Sequence, residues 1–174
     1  MSKARLNIAA LAKLLKKNPH LKLKQSGGPP LPSGKEEKAQ GGSNSYSRAA
    51  GGRRSDLGNR YFRSRWEANY ARYLNLLIAQ KQILAWDYEC QTFYFESIKR
   101  GVRSYTPDFK VTLSDMSHEW HEVKGWMDDK SAVKLKRMAR FYPAEKVTVI
   151  DDAWFEQAYK TGLDRCIPNW ERGA

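Results

Sequence analysis

The chain has 174 residues, 41% of them apolar, and a formal net charge of +12 from 31 Lys+Arg against 19 Asp+Glu. That length fits one domain plus a tail, and no apolar run comes near the roughly 20 residues of a membrane helix, so a membrane-spanning role is not expected. Two cysteines, Cys90 and Cys166, supply neither a disulfide framework nor a zinc site, and a reduced, cytoplasmic chain is the expectation.

The positive charge is concentrated at one end. Residues 1–60 hold 13 Lys+Arg and 3 Asp+Glu, whereas residues 61–174 hold 18 and 16. The first third therefore predicts a polyanionic partner, and the remainder is nearly neutral. Residues 5–17, RLNIAALAKLLKK, predict a basic amphipathic helix that stops at Asn18-Pro19. Lys13, Lys16 and Lys17 interrupt its apolar residues, so it is not read as a secretory signal. Residues 25–56 lose all periodicity and are rich in Gly, Ser and Pro. The organisation expected is a basic amphipathic helix over 1–24, a flexible linker over 25–60 and a folded domain over 61–174.

Within that domain, Ser64 to Gln80 predicts a helix, because Trp66, Tyr70, Tyr73, Leu74, Leu77 and Ile78 form one apolar stripe. Ala85 to Phe95 predicts a strand, Lys99-Arg100-Gly101 a turn, and Val102 to Leu113 the return strand with Pro107 at an edge or bulge. Trp120 to Lys124 and Lys146 to Ile150 predict two more strands. Ser131 to Tyr142 and Asp152 to Tyr159 predict helices, with Asp151 or Asp152 as a cap. The order α-β-β-β-α-β-α suggests an α/β fold with a mixed sheet flanked by helices.

Three residues carry chemistry: Asp108 in YTPDFKV, and Glu122 and Lys124 in WHEVKGW. Residues two apart on a strand face one side, so Glu122 and Lys124 point together while His121 and Val123 point away. Phe109, Val111 and Leu113 share a face of the preceding strand, which leaves Asp108 on the other. If the two strands pair, a carboxylate from each converges beside the lysine. Phosphodiester hydrolysis needs a hard cation on the scissile phosphate, and Mg2+ takes oxygen ligands, including one or two carboxylates. Asp108, Glu122 and the backbone carbonyl of Val123 are the candidate ligands, and Lys124 is the candidate to orient or deprotonate water.

YTPDF followed by HEVKG resembles the PD-(D/E)XK nuclease superfamily, with Pro107-Asp108 as the PD and Glu122-Val123-Lys124 as the (D/E)XK. The likeness covers about residues 62–151 and is nearest to small phage endonucleases, Holliday-junction resolvases and transposon end-cutting relatives. It implies a restriction-endonuclease-like fold and Mg2+-dependent cleavage of DNA, duplex or branched, with Mn2+ able to substitute. A homodimer is also implied, since cutting both strands of a junction needs two sites. In those relatives an acidic residue on the helix before the sheet joins the site, and Glu67 is the matching position, as a further metal ligand. Ser64-Arg65-Trp66-Glu67 also fits a capping box, so two readings of Glu67 stand side by side.

Other residues carry weaker expectations. Lys130, Lys134, Lys136 and Arg137 along the helix after the motif, and Arg53 and Arg54 in the basic arm, are candidate phosphate contacts, although a solvated face explains the helical set equally well. Gln91 could hold a water or a phosphate, or lie on the surface. Asp87 and Glu89 are read as surface charges, Cys90 as a buried strand residue and His121 as a packing or surface residue. A different class of function, a DNA-binding accessory protein that kept the fold without catalysis, fits the same residues. A membrane-surface or RNA-binding module driven by residues 1–24 is a third reading.

Overall fold

The computed structural model describes residues 50–172, together with Lys13 and Lys16, both helical and exposed. The rest of the helix expected over 1–24, and the linker over 25–49, lie outside the described residues.

Order begins earlier than residue 61. Strand β1 (Gly52–Arg54), a 3-10 turn (Ser55–Leu57) and β2 (Arg60–Phe62) form an antiparallel hairpin, with Arg53 opposite Tyr61. The linker expected over 25–60 is corrected at its C-terminal end. Long-range ion pairs hold this Gly-rich stretch. Arg54 donates twice to Glu171, at 2.8 and 2.7 Å. Arg72 donates to both oxygens of Asp56, at 2.7 and 3.1 Å, and to Glu171 at 2.9 Å. Asn69 accepts from the Glu171 N–H and donates to its carbonyl, so the C-terminal segment is strapped against the first helix.

That helix, α1 (Arg65–Ala79), starts where expected. Ser64 has extended backbone, and its Oγ accepts from the Glu67 N–H at 3.1 Å. Its stripe buries Ala68, Ala71, Leu74 and Leu76 to 1% exposure or less, which at about 1.5–3 kcal/mol for each large side chain is the main reason the helix holds its place.

A four-stranded mixed sheet follows, in the order β3 (Ile83–Tyr88), β6 (Phe109–Leu113), β7 (His118–Val123), β8 (Val147–Ile150). The first two pairings are antiparallel and β7–β8 is parallel. The parallel step requires a crossover, which α2 (Asp129–Phe141) supplies. Two further helices close the chain, α3 (Asp152–Thr161), capped by Asp151, and α4 (Leu163–Cys166). Gly162, at φ 75, makes the left-handed stop between them. α4 was not expected.

The strand expected over 85–95 is two elements. Glu89 has φ 47, which ends β3, and the chain re-forms as β4 (Phe93–Tyr94), paired with β5 (Ser104–Tyr105). The return strand expected over 102–113 is likewise divided into β5 and β6 at Thr106-Pro107-Asp108. Cys90 is therefore exposed in a connection and not buried in a strand.

Each face of the sheet has its own core. Phe109, Val111 and Val123 pack with α1 and α3, where Trp66 stacks on Phe155 with centroids 4.2 Å apart. Trp120 packs on the other face with Phe93, Phe95, Tyr105 and Met138, from the β4–β5 hairpin and α2. The alternation along β7 thus sends His121 and Val123 to the α1 side and Trp120 and Glu122 to the α2 side. No helix among the described residues is long and apolar enough to cross a membrane.

Candidate active site

Pairing of β6 with β7 sets Phe109 opposite His121, so Asp108, one residue before β6, lies beside the end of β7. Asp108 Oδ2 accepts the Val123 N–H at 2.8 Å, a bond that continues the ladder through a side chain. Glu122, on the α2 face, accepts the Tyr105 hydroxyl at 2.9 Å. Lys124 leaves the end of β7, its backbone N–H bonded to the Ile150 carbonyl at 2.8 Å, with its Nζ 3.9 Å from Glu122 Oε1. These residues line one cavity of about 640 Å³, together with Glu67, Val123 and Lys134. The structure thus brings together Glu67, Asp108, Glu122 and Lys124, all singled out in the sequence.

Glu67 caps the helix and also faces the cavity. As the third residue of α1, its Oε1 accepts from the Ser64 hydroxyl at 2.9 Å, a capping arrangement, and its Oε2 accepts the Arg63 N–H at 3.0 Å. The same Oε2 accepts the Tyr88 hydroxyl at 2.5 Å, and the carboxylate forms part of the cavity wall. Capping therefore aims the carboxylate without removing it from the site.

The electrostatics are strained by burial. Asp108 is 4% exposed, and burial, followed by the negative charges of Glu122 and Glu67, pushes its carboxyl well above the usual carboxylate range. Burial also raises Glu122, and the Tyr105 hydroxyl and the ammonium groups of Lys124 and Lys134 oppose that rise. The Tyr88 and Tyr105 hydroxyls are pushed up in turn, by burial and by the carboxylates they serve. The cavity holds a surplus of acid that its own cations do not fully offset.

Among the described residues, no group of three or more His, Cys, Asp or Glu side chains is gathered tightly enough to enclose a metal ion. The donors present are carboxylate oxygens at one side of an open cavity. This set suits a cation that keeps much of its water, as Mg2+ does, better than one needing a complete protein cage. The Val123 N–H is committed to Asp108, and Val123 lines the cavity.

The remaining candidates divide. Lys134 lines the cavity, its Nζ 6.0 Å from the Tyr105 ring centroid. Lys130 and Lys136 are exposed on α2. Arg137 is bonded to the Val102 carbonyl, which makes it a tie between α2 and the β4–β5 loop. Arg54 is committed to Glu171, whereas Arg53 is exposed and donates to the Asn59 carbonyl at 3.1 Å. Gln91 is exposed and outside the cavity wall. His121 is buried against α1 with its Nδ1 2.8 Å from the Tyr70 hydroxyl, a packing role.

Sequence reasoning missed four residues of the site. Glu89 is exposed, as a surface charge should be, yet it also borders the cavity, because the left-handed backbone at that position breaks the strand alternation. Its N–H donates to the Asp108 carbonyl at 2.8 Å. Arg63 precedes the helix and belongs to no periodic pattern, yet its guanidinium bonds Glu89 and, at 3.3 Å, Asp108. Tyr88 and Tyr105 lie in segments read only as strands, and the fold alone shows where their hydroxyls reach.

No protein-family model matches the chain, and neither a curated protein nor a solved structure is significantly similar to it.

Proposed function

We propose that this protein is a divalent-metal-dependent DNA endonuclease of the PD-(D/E)XK type, acting on duplex or branched DNA. The observation that carries this reading is the meeting of Asp108, Glu122, Glu67 and Lys124 in one cavity, on the elements that the motif requires. The mixed sheet with helices on both faces supports a restriction-endonuclease-like core.

The buried, acid-rich site fits a hard cation, because such a charge relieves the mutual repulsion of Asp108 and Glu122. Asp108 and Glu122 would hold Mg2+ or Mn2+, with Glu67 at the cavity wall as a further oxygen donor and the Val123 carbonyl as the remaining candidate. Bound there, the cation supplies positive charge to the scissile phosphate and acidifies water. Lys124, anchored on β7 and facing Glu122, positions the attacking water and accepts or shares its proton. Tyr105 and Tyr88 fix the two glutamates from behind. Hydrolysis joins the water oxygen to phosphorus and breaks one P–O ester bond, and the leaving oxygen takes up a proton. Lys134, Lys130 and Lys136 receive neighbouring phosphates along α2, and the basic residues of 1–49 add affinity that is insensitive to sequence. A homodimer would present two such sites to a junction.

The test is incubation of the protein with plasmid, linear duplex and a synthetic four-way junction, in Mg2+, Mn2+ or EDTA, beside Asp108→Ala and Lys124→Ala. Cleavage that needs metal and is lost in both variants is the expected result. Deleting residues 1–49 should weaken binding and flatten its salt dependence while leaving metal-dependent cutting. Binding without cutting, in either metal and on every substrate, would replace the nuclease with a DNA-binding accessory protein of the same fold.

A further inference from the structure

Arg63 stands at an unusual place for a cation. Its backbone N–H is tied to Glu67, so the residue is fixed by the acidic site itself. Its guanidinium bonds Glu89 and reaches Asp108 at 3.3 Å, the long distance of an incomplete bond. The side chain is nonetheless 59% exposed, while that of Asp108 is 6% exposed. Arg63 therefore spans the mouth of the cavity, with one nitrogen, Nη2, shared between a buried carboxylate and a partly exposed one. The Glu89 backbone is held in place, its N–H bonded to the Asp108 carbonyl and its φ at 47.

A divalent cation and the Arg63 guanidinium both seek the charge of Asp108, and the carboxylate cannot serve both fully. A guanidinium also matches a phosphate with two parallel hydrogen bonds. We propose that Arg63 is an exchangeable latch. It competes with the divalent cation for Asp108 and, once displaced, clamps a backbone phosphate beside the scissile one. The inference rests on the nuclease reading and assigns a positioning residue to it. Because binding effects are reciprocal, a phosphate that draws Arg63 away makes room for the cation, and a bound cation releases Arg63 to the phosphate. Cation and DNA then arrive cooperatively, and Arg63 offsets part of the acidic charge when neither is present.

The test is titration of the full-length protein with Mn2+ alone, followed by calorimetry, for wild type, Arg63→Ala, Arg63→Lys, Lys134→Ala and Asp108→Asn. Cleavage kinetics on a short duplex in saturating Mn2+ provide a second readout. Arg63→Ala should bind Mn2+ about five- to tenfold more tightly, the effect of removing one charge at contact distance, and should raise KM for DNA with a smaller change in kcat. Arg63→Lys, which keeps the charge but not the fork, should restore much of the Mn2+ competition and little of the DNA affinity. Lys134→Ala, whose ammonium faces Glu122 and Tyr105, should change Mn2+ affinity by less. A structural role for Arg63 would not move the two readouts in opposite directions. Equal or weaker Mn2+ binding by Arg63→Ala, with Asp108→Asn still abolishing it, would overturn the latch alone. No Mn2+ binding by any variant would overturn the cation site and the latch with it.

Discussion

Replacing Asp108 with Asn should make the protein more stable while stopping cleavage. Asp108 is a buried carboxylate facing Glu122 and Glu67, and an effective burial penalty of a few kcal/mol attaches to such a charge, about 3 kcal/mol. Two terms oppose the gain. The contact with Arg63, 59% exposed on the arginine side, is worth about 0.5–1 kcal/mol after solvent screening. The Val123 N–H bond survives on the amide oxygen but loses its charge assistance, about 1 kcal/mol. The net is a gain of about 1–1.5 kcal/mol, or about 3–6 °C in melting temperature for a domain of this size. The pH dependence has a definite sign. Because the folded-state pKa is raised, the native protein holds a proton that the unfolded chain has already released, so the Asp108 contribution is fullest in acid and is lost as pH rises through the folded pKa. Asn does not titrate. Thermal melts in EDTA should therefore show the variant well above wild type near about pH 7.5 and close to it near about pH 4.5. Comparing the two proteins cancels the lowered carboxylates Asp56, Glu145 and Glu171, which act oppositely in both. A variant that melts below wild type at neutral pH, or a gap that ignores pH, would refute the reasoning.

Glu67→Gln should keep the helix cap and lose most cleavage, whereas Glu67→Ala should also lose about 1 kcal/mol of stability; melting curves beside cleavage rates separate the two roles. Tyr105→Phe removes a hydrogen bond that holds the Glu122 pKa down, so the acid limb of the cleavage rate should move to higher pH, which a pH–rate profile reads directly. Glu171→Ala removes the carboxylate partner of Arg54 and one of the two carboxylates on Arg72, and should cost about 2–3 kcal/mol in urea denaturation, with cleavage retained at low temperature.

Much of the site was legible because a strand has a two-residue period. Glu122 and Lys124 had to share a face, Phe109 and Val111 had to share the opposite face from Asp108, and the pairing of β6 with β7 supplied the rest. α1 was legible for the same reason at helical period. What escaped depended on interactions between residues far apart in sequence. Gly51 to Arg54 looked like linker because its composition carries no strand pattern; it is held by pairing with β2 and by the distant Glu171. Glu89 looked like a solvated charge because alternation was carried through a residue whose backbone is left-handed. Arg63 had no periodic neighbour at all, and its importance lies only in what it touches.

The strap between Arg54 and Glu171 joins residues 117 apart, and Arg72 joins the same glutamate across 99. Contacts this remote repay the entropy of closing the chain only after most of it is already ordered. A polypeptide is made from its N-terminus, so Arg54, Asp56 and Arg72 emerge long before their acidic partner. The sheet and its carboxylates can assemble on a growing chain, but the N-terminal hairpin cannot be fastened until Glu171 is available. Fastening of this fold therefore waits on residue 171, and a chain stopped short of it would carry the carboxylates of the cavity on an unfastened scaffold.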